Sequence, residues 1–119
     1  MSVVSLVSPT ARLVLLAILV ASGCSGSHVT MMESYATYVR LAQVAGFKPV
    51  TVRQYRNILD VLEELGAVER LVWSVGYYGK ISIVAVRDPE RILSELREDL
   101  ALGGLAEEVC SSLPRGLQL

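Results

Sequence analysis

Gly46-Phe47-Lys48-Pro49-Val50 separates two segments of helical periodicity, and its reading decides the fold. Upstream, Thr30-Met31-Met32-Glu33 is a capping-box pattern, in which hydroxyl and carboxylate each meet a backbone N–H left over at a helix start. Tyr35, Tyr38, Val39 and Ala42 then recur at helical spacing and form an inward face, up to about Ala45. Gly46 ends that helix, because glycine takes the left-handed cap conformation at little cost. Pro49 disfavours helix at Lys48. Thr51-Val52-Arg53-Gln54 is a second capping box, so a further helix starts within a few residues of the last. Its inward stripe is Tyr55, Ile58, Leu59 and Leu62, and Gly66 stops it.

Working outward, two runs rich in β-branched and large apolar residues follow, Ala67 to Val75 and Ile81 to Arg87. Gly76-Tyr77-Tyr78-Gly79-Lys80 lies between them, a hairpin tip with glycines at positions 76 and 79. Asp88-Pro89-Glu90 reads as the cap of a fourth helix reaching about Leu102, broken by Gly103-Gly104. A last short helix is expected from Leu105 to Leu113. On the N-terminal side, Ser8-Pro9 reads as an N-cap with proline at the first helical position, opening a helix to Ser22. That helix is apolar nearly all round, as a central core helix would be. Ser25 to Val29 is a linker with room for a short strand. The order predicts an α+β, mainly helical fold: a winged helix-turn-helix with a three-helix core, a β-hairpin wing and extra C-terminal helices. Residues 1–7 are read as an N-terminal lead, and 8–119 as one domain with a helical extension from about 88.

A chain of 119 residues is long enough for one core without staples. Its apolar share exceeds that of an ordinary soluble domain, so part of the excess is expected on a surface facing another domain or subunit. The net charge is −1, but its distribution is uneven. Residues 1–87 carry eight Lys/Arg against five Asp/Glu, whereas residues 88–108 carry two against seven. An acidic tail behind a mildly basic body hides a local nucleic-acid footprint from the overall charge.

The second helix of the pair holds the candidate site. At about 100° per residue, Arg53, Arg56 and Asn57 fall opposite the apolar stripe and Gln54 on its flank. All four lie in the first two turns, while Asp60, Glu63 and Glu64 occupy the trailing half. Such polarity suits a helix whose leading end meets DNA. Arg53 or Arg56 can bond a guanine edge, and Asn57 or Gln54 an adenine edge, in bidentate fashion. Lys48, in the turn, and the helix N-terminal amides beyond Thr51 can hold phosphate. At the hairpin tip, Tyr77, Tyr78 and Lys80 are candidates for contact with the sugar-phosphate backbone or the minor groove. The competing readings are a solvated helix face and a plain hairpin whose tyrosines pack on their own sheet.

Enzyme chemistry finds no support. His28 is the single histidine and has no nucleophile near it in sequence. Glu63-Glu64 and Glu107-Glu108 are adjacent on helices, so each pair splays. Glu90, Arg91, Glu95 and Arg97 read as solvated helix charges. Gly76 to Lys80 is not a P-loop, since two residues separate its glycines and Ile81 follows the lysine. No metal or cofactor site is expected. Cys24 and Cys110 form no metal pattern and are read as two buried free thiols of a reducing cytosol, with a disulfide as the less favoured alternative.

Ser8-Pro9-Thr10-Ala11-Arg12-Leu13, Val29-Thr30, Tyr35-Ala36-Thr37-Tyr38, Pro49-Val50-Thr51-Val52-Arg53, Leu62-Glu63-Glu64-Leu65-Gly66, Gly79-Lys80 and Asp88-Pro89 stand in an order that resembles a known family. It is the C-terminal winged-helix domain of archaeal replication initiators of the origin-recognition / cell-division-cycle type, members of the AAA+ class. The resemblance spans roughly residues 8–102. It implies double-stranded DNA binding at replication origins, a recognition helix from Thr51 to Leu65 and a wing from Gly76 to Lys80. It further implies an AAA+ ATPase module ahead of this domain in the parent protein, the replicative helicase as a possible partner, and a cytoplasmic, nucleoid-associated location. That module is not found in this sequence, so no ATP hydrolysis is expected of this chain.

Three alternatives stay open. One is a transcription regulator on the same scaffold, dimerising through the helices after Asp88. Another is a winged helix used only for protein contact. The third is an exported lipoprotein with a mature start at Cys24, for which the run from Leu13 to Ala21 would be the signal.

Overall fold

The computed structural model describes residues 3–74, 76, 79–99, 104 and 105. Eight elements follow one another: α1 (Val3–Leu6), α2 (Pro9–Ala21), β1 (Val29–Thr30), α3 (Met31–Ala45), α4 (Val52–Glu64), β2 (Val68–Ser74), β3 (Lys80–Val86) and α5 (Pro89–Arg97).

The centre is α2. Its Ser8 cap accepts from the Ala11 N–H, with Pro9 in the first turn, as expected from the sequence. Seven consecutive residues, Leu13 to Leu19, have no exposed surface, so this helix is enclosed on every side. At roughly 1.5–3 kcal/mol for each fully buried large apolar side chain, this segment supplies a large part of the folding free energy. Packed around it are α3, α4, α5 and β3.

The sheet has three antiparallel strands in the order β1-β3-β2. Val68 lies opposite Val86 and Ser74 opposite Lys80, while Val29 of β1 lies opposite Val84. Opposed residues share a face, so Val68, Arg70, Val72 and Ser74 point the same way as Val86, Val84, Ser82 and Lys80. The inner end of this face is buried at Val68, Val84 and Val86.

Several boundaries follow the sequence reading, including the left-handed Gly46 cap, while the short strand sits at the end of the expected linker, on Val29–Thr30. Other readings need correction. Asp88 does not cap α5 through its side chain; it adopts a left-handed backbone with φ 52°. Glu95 is not a solvated charge: it is mostly buried and accepts from the Val4 N–H at 3.3 Å and from Arg91 at 3.1 Å. Cys24 is not a buried free thiol. It is half-buried and disulfide-bonded. Cys110, the chain's other cysteine, lies outside the described residues, as do most of the expected helix from Leu105 to Leu113 and its Glu107-Glu108 pair.

The inward face of α3 is also more polar than its periodicity suggests. Ser34 and Thr37 are buried beside Tyr38 and Ala42, whereas Tyr35 and Val39 are half-buried. Ser34 donates to the Met31 carbonyl and Thr37 to the Glu33 carbonyl, which removes the cost of burying the hydroxyls.

Candidate nucleic-acid interface

The turn between α3 and α4 is fixed by two tyrosines. The Tyr35 hydroxyl donates to the Val50 carbonyl at 2.8 Å, and the Val50 N–H donates to the Tyr38 hydroxyl at 3.1 Å. Both backbone groups of the residue preceding the α4 cap are thereby held by α3. Tyr55, from α4, completes an aromatic cluster with ring centroids 5.1 Å from Tyr35 and 5.3 Å from Tyr38. Its hydroxyl donates to Ser34 at 2.8 Å, a bond between the two helices. Burial pushes the Tyr55 phenol well above its ordinary pKa, with the Ser34 bond opposing the shift.

From this anchor α4 starts with both halves of the expected capping box. The Gln54 N–H donates to Thr51 Oγ1 at 3.3 Å, and the Thr51 N–H donates to Gln54 Oε1 at 3.2 Å. The box has a consequence for recognition. Gln54 spends one lone pair of its amide oxygen on the Thr51 N–H, so any base contact it makes is shared with its role in the cap.

Lys48, Arg53, Arg56 and Asn57 are all exposed. The leading half of α4 thus presents two arginines and an asparagine with Lys48 on the approach to it. Arg53, Arg56 and Asn57 line a shallow concavity of about 710 Å³ with Val52, Asp60 and Arg70. Sequence reasoning missed Arg70. It sits on β2, and its Nη2 pairs with Asp60 Oδ1 and, at 3.4 Å, with Glu63 Oε1. Asp60 and Glu63, three apart on one helix face, are brought to it only by the packing of β2 beside α4, which the spacing along the chain does not show.

At the wing, Lys80 is exposed at the start of β3, and the Gly79 N–H donates to the Gly76 carbonyl at 3.3 Å. Gly76 and Gly79 both have positive φ, 65° and 85°. Tyr77 and Tyr78 lie outside the described residues. The hairpin flank is apolar and open, with Trp73 60% exposed opposite Ile81. His28 faces Glu69 at 3.8 Å. Among the described residues, no group of His, Cys, Asp and Glu is placed to hold a metal ion, and no helix is long and apolar enough to cross a membrane.

A capped helix pair, a hairpin beside the second helix and a third helix beneath them define a winged helix-turn-helix domain. Residues 3–95 match the family described as "CDC6, C terminal winged helix domain", and the chain belongs to it. Among curated proteins it is similar to the ORC1-type DNA replication protein 1 of Aeropyrum pernix, 36% identical over 91 residues, covering 75% of this chain and 22% of that protein. It is similar also to the ORC1-type DNA replication protein 1 of Sulfurisphaera tokodaii, 36% identical over 78 residues, covering 66% and 20%. The chain therefore spans only about a fifth of the length of these relatives. A solved structure of the Aeropyrum pernix ORC1 protein in complex with DNA superposes with a TM-score of 0.77 at 33% identity, over 87% of this chain and 27% of that one. Pyrobaculum aerophilum Cdc6p shares the fold, with a TM-score of 0.60 at 18% identity, over 88% of this chain and 24% of that one. This is the winged-helix domain of ORC1/Cdc6 replication initiators.

Proposed function

We propose that this domain binds double-stranded DNA at replication origins, with the leading half of α4 in the major groove and the wing against the backbone or the adjacent minor groove. The observation that carries this reading is the exposed set Arg53, Arg56 and Asn57 on α4, flanked by Lys48 and left uncovered by the described residues. The likeness to an ORC1 protein in complex with DNA supports it. Arg53 and Arg56 bond bases or phosphates, Asn57 reads a base edge, and Lys48 and Lys80 hold the backbone. Gln54 and Thr51 chiefly keep the helix start in place, and Tyr77 and Tyr78 remain wing candidates. In the longer relatives an AAA+ ATPase domain would precede this one, with the replicative helicase as a further partner. The chain itself acts as a binding module from about residue 8, with the segment after 88 as its helical extension and the cytoplasm as its place.

A salt-series titration with origin and random duplexes tests the reading. Replacing Arg53 or Arg56 with Ala should remove about 1–3 kcal/mol of discrimination where that residue makes a bidentate base contact. Unchanged affinity and preference in both variants would overturn it. One observation favours a second use of the same fold, contact with protein: Leu6, Val61 and Leu65 are exposed around an apolar hollow also lined by Ile58. Duplex binding lost with Arg53 and Arg56 but kept when Val61 and Leu65 are made polar would assign the DNA role to the cationic end of α4 alone.

A further inference from the structure

Arg70 stands in the same concavity as Arg53 and Arg56, yet it comes from a different element. Two carboxylates on α4, Asp60 and Glu63, neutralise it. The pair with Asp60 is not deeply buried: Arg70 is 24% exposed and Asp60 56%. By strand register Arg70 also shares its sheet face with Lys80, four residues further out on the opposing strand, a span of roughly 13 Å. Cations are therefore laid out along one path, from Arg53 and Arg56 on α4, across Arg70 on β2, to Lys80 at the wing. Among the described residues, the member of that path with carboxylate partners is the one in the middle.

We infer that Arg70 is a third phosphate-binding arginine of this face, held by Asp60 and Glu63 until a DNA phosphate enters the concavity and competes for it. This rests on the proposed DNA reading and deepens it. Arg70 meets both carboxylates through Nη2 alone, and a phosphate, which offers a guanidinium two oxygens as a carboxylate does, can replace them without moving β2. The exchange has two consequences. The acidic pair lowers affinity for any duplex that does not bring a phosphate to this point, and it keeps Arg70 from attracting anions in isolation. Asp60 and Glu63 thus act as gating residues of the interface, where the helix sequence alone marked only a non-binding trailing end.

The alternative physical role is a brace, in which the ion pairs simply hold the wing strand against α4. The two roles predict opposite signs for the same substitution. Asp60→Asn frees Arg70, so gating predicts tighter binding of a duplex, roughly two- to fivefold given the strength of an exposed ion pair. It also predicts a log–log salt dependence close to that of the wild type, because Arg70 neutralises the same phosphate in both complexes, a contact worth about 0.9 of slope. A brace predicts weaker binding. Arg70→Gln should weaken binding and flatten the salt dependence by up to the same amount, and in that background Asp60→Asn should bring no gain. Glu63→Gln, tested alongside, should act in the direction of Asp60→Asn with a smaller effect. Weaker binding by Asp60→Asn, or an equal gain with and without Arg70, overturns the inference. Loss of binding in the Arg53 and Arg56 variants without any coupling between residues 60 and 70 overturns the inference alone. Absence of duplex binding by the wild-type chain overturns both it and the reading beneath it. Thermal midpoints of all variants, measured alongside, show that each is folded at the temperature of the titration.

Discussion

Replacing Tyr38 with Phe removes one oxygen and leaves the ring, which is fully buried, in place. That oxygen accepts the Val50 N–H. The variant therefore strands a backbone donor at the one residue that links the α3–α4 turn to the α4 cap. A buried donor without a partner costs about 1–3 kcal/mol. Val50 is half-buried, which gives water partial access and places the expected loss at about 1–2 kcal/mol. For a domain of this size that is a fall in thermal midpoint of roughly 4–8 °C. Tyr35→Phe is the matched control. It removes the donor to the Val50 carbonyl, and a carbonyl with a lost partner is tolerated better than an orphaned N–H. Its cost should be about 0.5–1 kcal/mol. Denaturant unfolding of the wild type and both variants, compared at unchanged slope, measures the two losses directly. A Tyr35→Phe loss equal to or larger than that of Tyr38→Phe would refute the idea that the orphaned donor dominates. So would a Tyr38→Phe variant indistinguishable from the wild type.

Leu59→Ala, which empties a fully buried position of α4, should cost about 2–5 kcal/mol in the same unfolding assay. Gly26→Ala should be destabilising by about 1–3 kcal/mol, because Gly26 has φ +80° and an added Cβ would lie 2.6 Å from Pro89 Cγ; a neutral result would mean that the linker can shift away from α5. The raised pKa of Tyr55 means that the folded state favours the neutral phenol. Its contribution is complete below the ordinary tyrosine value of about 10 and is lost as pH rises beyond it. Unfolding midpoints recorded against pH should fall above that value, and Tyr55→Phe should flatten the fall. For duplex binding, Lys48, Arg53, Arg56, Lys80 and Arg70 bound the salt dependence at a log–log slope of about −4.5 if each meets one phosphate. A markedly steeper slope in the titration would require cations outside this face.

What the sequence made legible follows from how local each signal is. Thr51 and Gln54 are three apart and need no distant partner to form a capping box, so the start of α4 could be read directly. The same holds for Ser8-Pro9 and for Gly46. The helical wheel gave Arg53, Arg56 and Asn57 an outward face because that face depends only on the apolar stripe behind it. Arg70 was invisible as a site residue, since its role depends on β2 lying beside α4, a relation that periodicity does not encode. The tyrosine bonds to Val50 were hidden for the same reason: spacing shows that Tyr35 and Tyr38 face inward, but not that their hydroxyls reach across to the next turn. Asp88-Pro89 misled because it has the composition of a cap, while the chain enters α5 through a left-handed residue. The Cys24 disulfide was the less favoured reading because spacing along the chain does not show which cysteines the fold brings together.

The position of α4 depends on a short series of contacts, each of which constrains the next. The enclosed α2 fixes where α3 and α4 can pack. The hydroxyls of α3 then hold Val50, Val50 sets Thr51, and Thr51 with Gln54 closes the first turn. Only after that do Arg53 and Arg56 have a defined place to stand. On the proposed DNA reading, this order accounts for a nucleic-acid face on a chain with a net charge of −1. Affinity from bulk charge is not available to it, so the few cations must be placed by packing and not by number. Asp60 and Glu63 fit the same logic. Carboxylates next to a binding face lose affinity everywhere, and they are useful only if they lose less where a phosphate arrives in register with Arg70. Specificity is a difference between partners, and a repulsive element that a correct partner relieves contributes to that difference as directly as a new bond.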